Sequence, residues 1–434
     1  MHIIWESDFM ASVAAGILAG GLSSRMGEDK PAMAWKGRTF LDTVLSACSS
    51  FPEICVSAGD RGKFPGLDCP VVLDELKEYG PLEGLYQILR TIRSDYVFLL
   101  AADMPLLNQH FLQAVSERVT GNEDCLVIRK AGRPQPLCSI YSKRLLPAVL
   151  RLRSQGEHRM RSLFETGRTV YLDLEDLGYG TEVADNINTP EEYEKLCMTH
   201  GGRMEEFAPA LRRYLEKSAV LVCYLDGFGY EMYRYAFRNK RIPFISSHFL
   251  VTPVRTVRPP LTNPAMATMI TGVSPDVHGI HSHKERTLAV PTIFAGRSSS
   301  DTSFLEGDTR ILVTELAPVL HPARQGRGCD EWIADDAVKA ALMHVPFIFA
   351  HFHEIDDKAH EFGPYSEACM EQAEAADSQV RRISAAFDGR MVIISDHGVT
   401  DSGNGGVHGK TDDSYGNPEE MLAVWGEEYA AGRV

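Results

Sequence analysis

Short apolar runs recur along the first part of the chain. Val13–Leu18, Ile54–Ala58, Val71–Leu73, Tyr96–Ala101 and Cys125–Ile128 are nearly unbroken in hydrophobicity, and each gives way to small or polar residues. Runs this short and this apolar read as strands buried on both faces. Between them, Thr39–Cys48 and Leu82–Ile92 repeat their apolar residues at helical spacing. Strand and helix in alternation predict a mostly parallel sheet with helices on both faces. The pattern closes near Asn186-Ile187-Asn188-Thr189-Pro190-Glu191-Glu192, where Thr189 and Pro190 open a last helix by capping and by proline in the first turn.

Met198–Lys217 then carries few apolar anchors, and the alternation restarts behind it. Ala219–Leu225, Phe347–Phe352, Met391–Ile394 and Met421–Trp425 read as strands, and Glu331–Met343 and Glu367–Phe387 as helices. Residues 289–327 are irregular and rich in Pro, Gly and Ser, a composition suited to a cap or an active-site loop. The expected fold is α/β throughout, in two α/β domains: residues 11–197, a linker at 198–217, and residues 218–434. Neither an internal repeat nor a heptad pattern is present in the sequence.

Composition narrows the function classes. A length of 434 residues leaves room for two cores. The formal net charge of −15 argues against nucleic acid or an anionic membrane as the main partner, while leaving room for a local basic nucleotide pocket. The nine cysteines are odd in number and contain no C-x-x-C, which points to reduced thiols and not to a disulfide frame or a zinc knuckle. The acidic start MHIIWESDFM is unlike a secretory leader, and no run is long and apolar enough to span a membrane. A cytoplasmic location is expected.

The stretch GILAGGLSSRMGEDK, following the first strand, matches neither G-x-G-x-x-G nor G-x-x-x-x-G-K-[ST]. Its paired glycines permit close backbone approach to a ligand, and the following N–H groups can line phosphate oxygens. Arg25 and Lys30 add positive charge. On its own the stretch serves equally well as a tight strand-to-helix turn. Asp103, in AADMP, stands at the carboxyl end of a buried strand, where α/β sheets bind ligands. A carboxylate there suits Mg²⁺ on a nucleotide's phosphates, or a helix cap. Asp74 repeats the arrangement.

Taken together, LAGGLSSRMGEDK, the strand end at Asp74, AADMPLL, RPQPLCSIY, QGEHRMRSL and NINTPEEY resemble the molybdenum cofactor guanylyltransferase family of nucleotidyltransferases, in the right order over Ala11–Leu196. The resemblance implies GTP binding by Leu18, Ala19, Gly20, Gly21, Arg25, Lys30, Asp74 and Asp103. Lys30 would contact phosphate and Asp103 would hold Mg²⁺, the two acting as the catalytic pair. The implied acceptor is the terminal phosphate of molybdopterin. Arg133, Arg159, Asn186 and Asn188 are candidates for its side of the site, with His158 and Arg161 beside them. The implied reaction is attack of that phosphate on the α-phosphorus of GTP with loss of pyrophosphate. The LAGG sequence goes with guanine; cytidylyl relatives more often carry LAAG, and a CTP-dependent transferase for another phosphate or phosphonate acceptor is the alternative.

In the second half, three apolar strands run into residues of metal-ligand type. Ala219–Leu225 delivers Asp226, Phe347–Phe352 leads into HEIDDKAH with Asp356 and His360, and Met391–Ile394 delivers Asp396 and His397. If these strands are parallel neighbours, their tips converge. Asp356 and His360 lie one helical turn apart, and a bend at Gly398 would let Asp396 and His397 serve one ion. His408 lies in a glycine-rich loop able to fold back to the same edge. Carboxylate mixed with imidazole suits Zn²⁺ first, with Mn²⁺ or Fe²⁺ as alternatives. Two such ions roughly 3.5–4 Å apart clamp the attacking and leaving oxygens of phosphoryl transfer. Thr262, in LTNPAMATMITGVSPDVHGI, is the candidate nucleophile; without metals it reads as a helix N-cap.

This set resembles the alkaline phosphatase superfamily, in its type I phosphodiesterase and nucleotide pyrophosphatase branch, and T-N-P with T-G-x-x-P-x-x-H-G-I is similar to phosphonoacetate hydrolases. The resemblance implies one ion on Asp356, His360 and His408, and another on Asp226, Thr262, Asp396 and His397. It also implies a phosphoester or phosphonate substrate attacked by Thr262. Leu225, before Asp226, departs from the small polar residue more frequent in that branch. Relatives continue beyond the equivalent of Met421–Trp425, so this domain is expected to be trimmed or the sequence incomplete. A metal-free scaffold mediating assembly is the non-catalytic rival.

Overall fold

The computed structural model describes residues 11–20, 26, 29–59, 64, 66–409 and 417–429. They part into two compact units between Tyr193 and Glu194, within helix Pro190–His200.

The first unit is built on a seven-stranded sheet. Its spatial order is Val71–Leu73, Ile54–Ala58, Val13–Leu18, Tyr96–Ala101, Arg133–Ser142, Cys125–Lys130 and Thr169–Asp173. The first four strands are parallel, as the alternation predicts. Arg133–Ser142 is different: it runs antiparallel to both of its neighbours. It forms a hairpin with Cys125–Lys130 through Ala131 and Gly132, whose φ values of 47° and 71° suit a tight two-residue turn between twisted strands. Successive residues of the central strands feed opposite cores. Ile17, Phe98 and Leu100 pack on one face with Phe111, while Ala14, Val97 and Leu99 pack on the other with Leu85 and Ile88 of helix Pro81–Thr91. That two-sided burial is why these strands lack polar alternation.

The second unit is built on an eight-stranded sheet. Strands Arg390–Ile394, Val220–Leu225, Phe347–Phe352 and Thr302–Glu306 are parallel neighbours in that order. Leu422–Glu428 runs antiparallel between Arg390–Ile394 and Phe249–Arg255. Three features correct the sequence reading. Residues 198–217 are not a linker: Gly202–Arg203 pairs with Val254 and Arg255, and helix Phe207–Leu215 follows. Met204, Phe207, Ala208 and Leu211 are buried in this unit's core, a helical stripe of small area masked by the charges around it. Phe249–Arg255 is a strand the apolar pattern does not reveal, because Thr252 and Pro253 interrupt it. The irregular stretch 289–327 contains the strand Thr302–Glu306, which places Glu306 at the edge where the candidate ligands gather.

All nine cysteines are free thiols. Among the described residues no helix is long and apolar enough to cross a membrane.

Candidate functional sites

In the first unit, backbone pairing fixes the strand ends. Ala19 N–H donates to Ser57 O (2.8 Å), Asp74 N–H to Ala58 O (3.2 Å) and Ala102 N–H to Leu18 O (3.0 Å). Leu18, Ala19, Gly20, Asp74 and Asp103 therefore share one sheet edge, and a Cβ on Gly20 would lie 3.4 Å from Asp74 Oδ2. Asp74 accepts from Ser57 Oγ at 2.9 Å, and burial raises its pKa. Asp103 is the hub. Lys30 Nζ donates to Asp103 Oδ2 at 2.9 Å and to Asn188 Oδ1 at 2.8 Å. Asn186 Nδ2 donates to Asp103 Oδ1 at 2.8 Å, and Ile187 N–H to Asp103 O at 2.9 Å. Residues from three distant stretches of the chain thus meet in a partly buried cluster. Its oxygen donors are of the hard type Mg²⁺ prefers, and the lysine ammonium lies between two of them. The residues fit a hard divalent ion, provided Lys30 moves aside.

The remaining expectations are placed differently. Gly21 and Arg25 lie outside the described residues. Arg133 is exposed at the start of its strand. Arg159 is also exposed and pairs with Glu157 at 2.8 Å, while His158 Nδ1 lies 2.9 Å from Tyr79 O. Arg161 is exposed on the 3₁₀ segment Met160–Glu165. No contact joins Arg133, His158, Arg159 or Arg161 to the Lys30–Asp103 cluster among the described residues.

In the second unit the parallel strands bring the candidate ligands to one edge. Asp226 follows Val220–Leu225, Asp396 and His397 follow Arg390–Ile394, and Asp356 and His360 sit on helix Glu354–Phe362, which opens just after Phe347–Phe352. Gly227, at φ 67°, makes the close approach possible. A Cβ there would lie 2.4 Å from Asp356 Oδ1, and its N–H donates to Asp396 Oδ1 at 3.1 Å. Two ligand groups form. Asp356, His360 and His408 make one: His360 Nε2 is 3.3 Å from Asp356 Oδ2 and 3.0 Å from His408 Nε2. Asp226, Asp396 and His397 make the other: His397 Nε2 is 3.1 Å from Asp396 Oδ2 and 3.8 Å from Asp226 Oδ1. Thr262 is the first residue of helix Thr262–Thr271 and not its cap, and its Oγ1 lies 3.3 Å from His397 Nε2. The His397 and His408 rings stack at 3.8 Å, so the two groups are contiguous.

The electrostatics are those of a cation site. Asp226 Oδ1, Asp356 Oδ1 and Asp396 Oδ2 are buried without a hydrogen-bond partner. Among the described residues their ion-pair partners are imidazoles alone. Burial and the neighbouring Asp396 and Asp356 carboxylates push the pKa of Asp226 well up. Burial acts the same way on Asp356, but the hydrogen bond from His360 and the charges of His397 and His408 outweigh it and hold that carboxyl at about 2. His360 is raised to about 9 by the same hydrogen bond, while burial takes His408 down to about 4. Unpaired buried carboxylates cost several kcal/mol each. Orphaned oxygens converging with imidazole nitrogens fit divalent ions of borderline softness.

Sequence reasoning missed part of this edge. His351 and His353 approach Asp226, and these three residues form a further ligand group. Glu306, fully buried, faces His351 from the adjacent strand. A histidine inside the apolar run FIFAHF reads as a satisfied core residue; the H-x-H spacing was the only signal.

A family model of MobA-like NTP transferase domains matches residues 15–170. One of type I phosphodiesterases and nucleotide pyrophosphatases matches residues 220–315 and 319–412. A probable molybdenum cofactor guanylyltransferase of Aquifex aeolicus is 32% identical over 202 residues, spanning 44% of this chain and 94% of the relative. Its namesake in Bacillus velezensis is 29% identical over 184 residues, spanning 42% and 92%. A solved structure of molybdopterin-guanine dinucleotide biosynthesis protein A from Archaeoglobus fulgidus is 23% identical, with a TM-score of 0.37, and the match covers 42% of this chain and 95% of that one.

Proposed function

We propose, from the premise that the chain belongs to the MobA-like NTP transferase family through its first unit and carries a type I phosphodiesterase-like domain in its second, that it is a cytoplasmic enzyme with two sites for phosphate chemistry. The first transfers GMP from GTP to the terminal phosphate of molybdopterin. The acceptor oxygen bonds to the α-phosphorus, the bond to the β-phosphate oxygen breaks, and pyrophosphate leaves. The observation that carries this reading is Lys30 Nζ shared between Asp103 and Asn188 beside the glycine edge. Lys30 turns from Asp103 to the incoming phosphates and orients them, a role of alignment and charge neutralisation. Leu18, Ala19, Gly20, Gly21, Arg25 and Asp74 form the GTP side, and Asn186 steadies the Asp103 carboxylate. Arg133, Arg159 and Asn188 are proposed for the acceptor. Asp103 and Asn188 would hold Mg²⁺, which when bound supplies counter-charge to the triphosphate.

The second site hydrolyses a phosphoester or phosphonate. Asp356, His360 and His408 would hold one divalent ion, and Asp226, Thr262, Asp396 and His397 a second. Zn²⁺ suits both, and when bound these ions supply Lewis-acid charge at the attacking and leaving oxygens. Thr262 Oγ1 attacks phosphorus at the N-terminus of helix Thr262–Thr271, the end of the helix dipole that favours an anion. For a phosphoester, the P–O bond to the leaving group breaks as the bond to Oγ1 forms, and the leaving oxygen takes up the proton that Thr262 gives up; water then attacks phosphorus, the P–Oγ1 bond breaks, and one water proton restores the Thr262 hydroxyl.

The test uses the full chain. With Mg²⁺ and molybdopterin, pyrophosphate release is expected from GTP; preference for CTP overturns guanylylation, and release from neither overturns transfer. With Zn²⁺, a chromogenic phosphodiester is expected to turn over in wild type and in Thr262→Ser, but not in Thr262→Ala. Inertness of the zinc-loaded chain toward phosphomonoesters, diesters and phosphonates favours the scaffold reading.

A further inference from the structure

Beyond the two ligand groups of the proposed hydrolytic site, a third lies on the far side of Asp226. His351 Nε2 is 3.1 Å from Asp226 Oδ2, and His353 Nδ1 is 3.7 Å from the same oxygen. One ligand atom from each of the three residues lies within 4.8 Å of the others. Tetrahedral ligands at zinc distances stand about 3.3–3.5 Å apart, and the two separations to Asp226 Oδ2 bracket that spacing.

The surroundings hold the two rings in place. Tyr224 stacks on His351 with centroids 3.7 Å apart and planes 6° from parallel, which fixes the ring plane. Asp330 Oδ1 accepts from His353 N–H at 2.8 Å and anchors that backbone. Gly307 leaves room for the His353 ring, since a Cβ there would lie 2.8 Å from His353 Cδ2. Beyond His351, Glu306 Oε1 lies 3.7 Å from His351 Nδ1 and is fully buried with no hydrogen-bond partner.

The ring of His351 lies between two carboxylates, with Asp226 Oδ2 3.1 Å from Nε2 and Glu306 Oε1 3.7 Å from Nδ1, and both Glu306 Oε1 and His351 Nδ1 are buried without a hydrogen-bond partner. His353 Nε2 is likewise buried and without a hydrogen-bond partner. A histidine that ligates an ion through one nitrogen and donates its other N–H to a carboxylate has this arrangement. We propose that Asp226, His351 and His353 form a third cation site, selective for an imidazole-preferring divalent ion such as Zn²⁺, with Glu306 orienting His351 and Asp226 shared with the hydrolytic centre. Its task is to position Asp226, whose other oxygen faces His397.

The proposal rests on the hydrolytic reading only through Asp226, and the two are tested separately. The full chain is stripped with chelator, saturated with Zn²⁺ in excess Mg²⁺, desalted, and its zinc counted by atomic emission. His353→Ala is expected to hold one zinc fewer than wild type, and His351→Gln likewise. His360→Ala is expected to lose a different zinc, so that the His353→Ala/His360→Ala double variant loses two. With Co²⁺ in place of Zn²⁺, His353→Ala is expected to lose a corresponding share of the visible d–d absorption. Zinc content and Co²⁺ spectrum unchanged in His353→Ala overturn the third site, whatever His360→Ala does. Zinc lost in His353→Ala but kept in His360→Ala supports the third site and counts against the two-ion reading. If the fully buried His351→Gln does not fold, as judged by far-UV circular dichroism, the more accessible His353→Ala decides.

Discussion

Asp103 in the first unit and Asp226 in the second each follow the carboxyl end of a parallel strand, in surroundings of opposite kind. Asp103 has both oxygens engaged, one by Lys30 Nζ at 2.9 Å and one by Asn186 Nδ2 at 2.8 Å. Asp226, Asp356 and Asp396 each keep a buried oxygen without a hydrogen-bond partner, and imidazoles are their only ion-pair partners among the described residues. The first unit carries its own counter-cation on the Lys30 side chain. The cluster is satisfied at rest, and in the proposed function Lys30 leaves Asp103 when phosphates arrive. The second unit gathers negative charge that the chain does not neutralise, so its local stability and its chemistry are expected to depend on the same ions. The two clusters thus differ in charge compensation, internal in the first and, in the proposed function, borrowed from bound ions in the second.

The largest expected effect separates the two at the level of catalysis. Thr262→Ala removes the proposed nucleophile and is expected to lower phosphodiester kcat by about 10⁴-fold or more, leaving GTP-dependent pyrophosphate release unchanged. Loss of both activities would break the distinction. Next is chelation. Removing an ion held at about 1,000 times its Kd withdraws about 4 kcal/mol. Hydrogen exchange at Val220–Leu225 and Arg390–Ile394 is expected to accelerate, and that at Val13–Leu18 is not. Lys30→Met comes third, with transfer falling about 10²–10³-fold and hydrolysis unaltered. Equal transfer rates in wild type and variant would remove the lysine from the site.

The smallest effect is a pH profile of the chelated chain. His408 is lowered from 6.5 to about 4, so its contribution to stability is present above pH 6.5 and lost as pH falls toward 4. That limb is about 3 kcal/mol. His360 is raised from 6.5 to about 9, so its contribution is present below pH 6.5 and lost as pH rises through 9. The alkaline limb is smaller because that ring is partly open to water. The joint contribution of these two histidines, followed as the difference in hydrogen exchange between wild type and a His360→Ala/His408→Ala variant, is therefore expected to peak near pH 6.5 without metal. The alkaline limb is expected to vanish with Zn²⁺, when both imidazoles are held neutral. A profile that zinc leaves unchanged would separate these histidines from any ion.

Much of this was legible in the sequence because the informative residues stand next to the informative pattern. Strands buried on both faces leave unbroken apolar runs, and Asp74, Asp103, Asp226, Asp396 and His397 follow such runs within about three residues. The i, i+4 spacing of Asp356 and His360 predicts one helix face, and both lie on helix Glu354–Phe362. What escaped lacked that adjacency. Arg133–Ser142 opens with Pro134 and Pro136, which disguise an antiparallel strand. Thr302–Glu306 is short and set among Ser, Gly and Asp, so Glu306 had no visible frame. The helix Phe207–Leu215 buries a stripe too narrow to stand out from its charged neighbours. The pairing of Arg159 with Glu157 is likewise visible only in the fold. His351 sits within an apolar strand, and its meaning comes from Glu306 and Asp226 on the strands either side.

The dependence of one site, and not the other, on borrowed cations is tested most directly by stripping the full chain of metal and restoring ions in turn. Mg²⁺ alone is expected to restore GTP-dependent pyrophosphate release while phosphodiester hydrolysis stays absent, and added Zn²⁺ is expected to restore hydrolysis. Full hydrolysis in the stripped protein, with no zinc bound, would contradict a centre built from Asp226, Asp356, Asp396 and their histidines around metal ions.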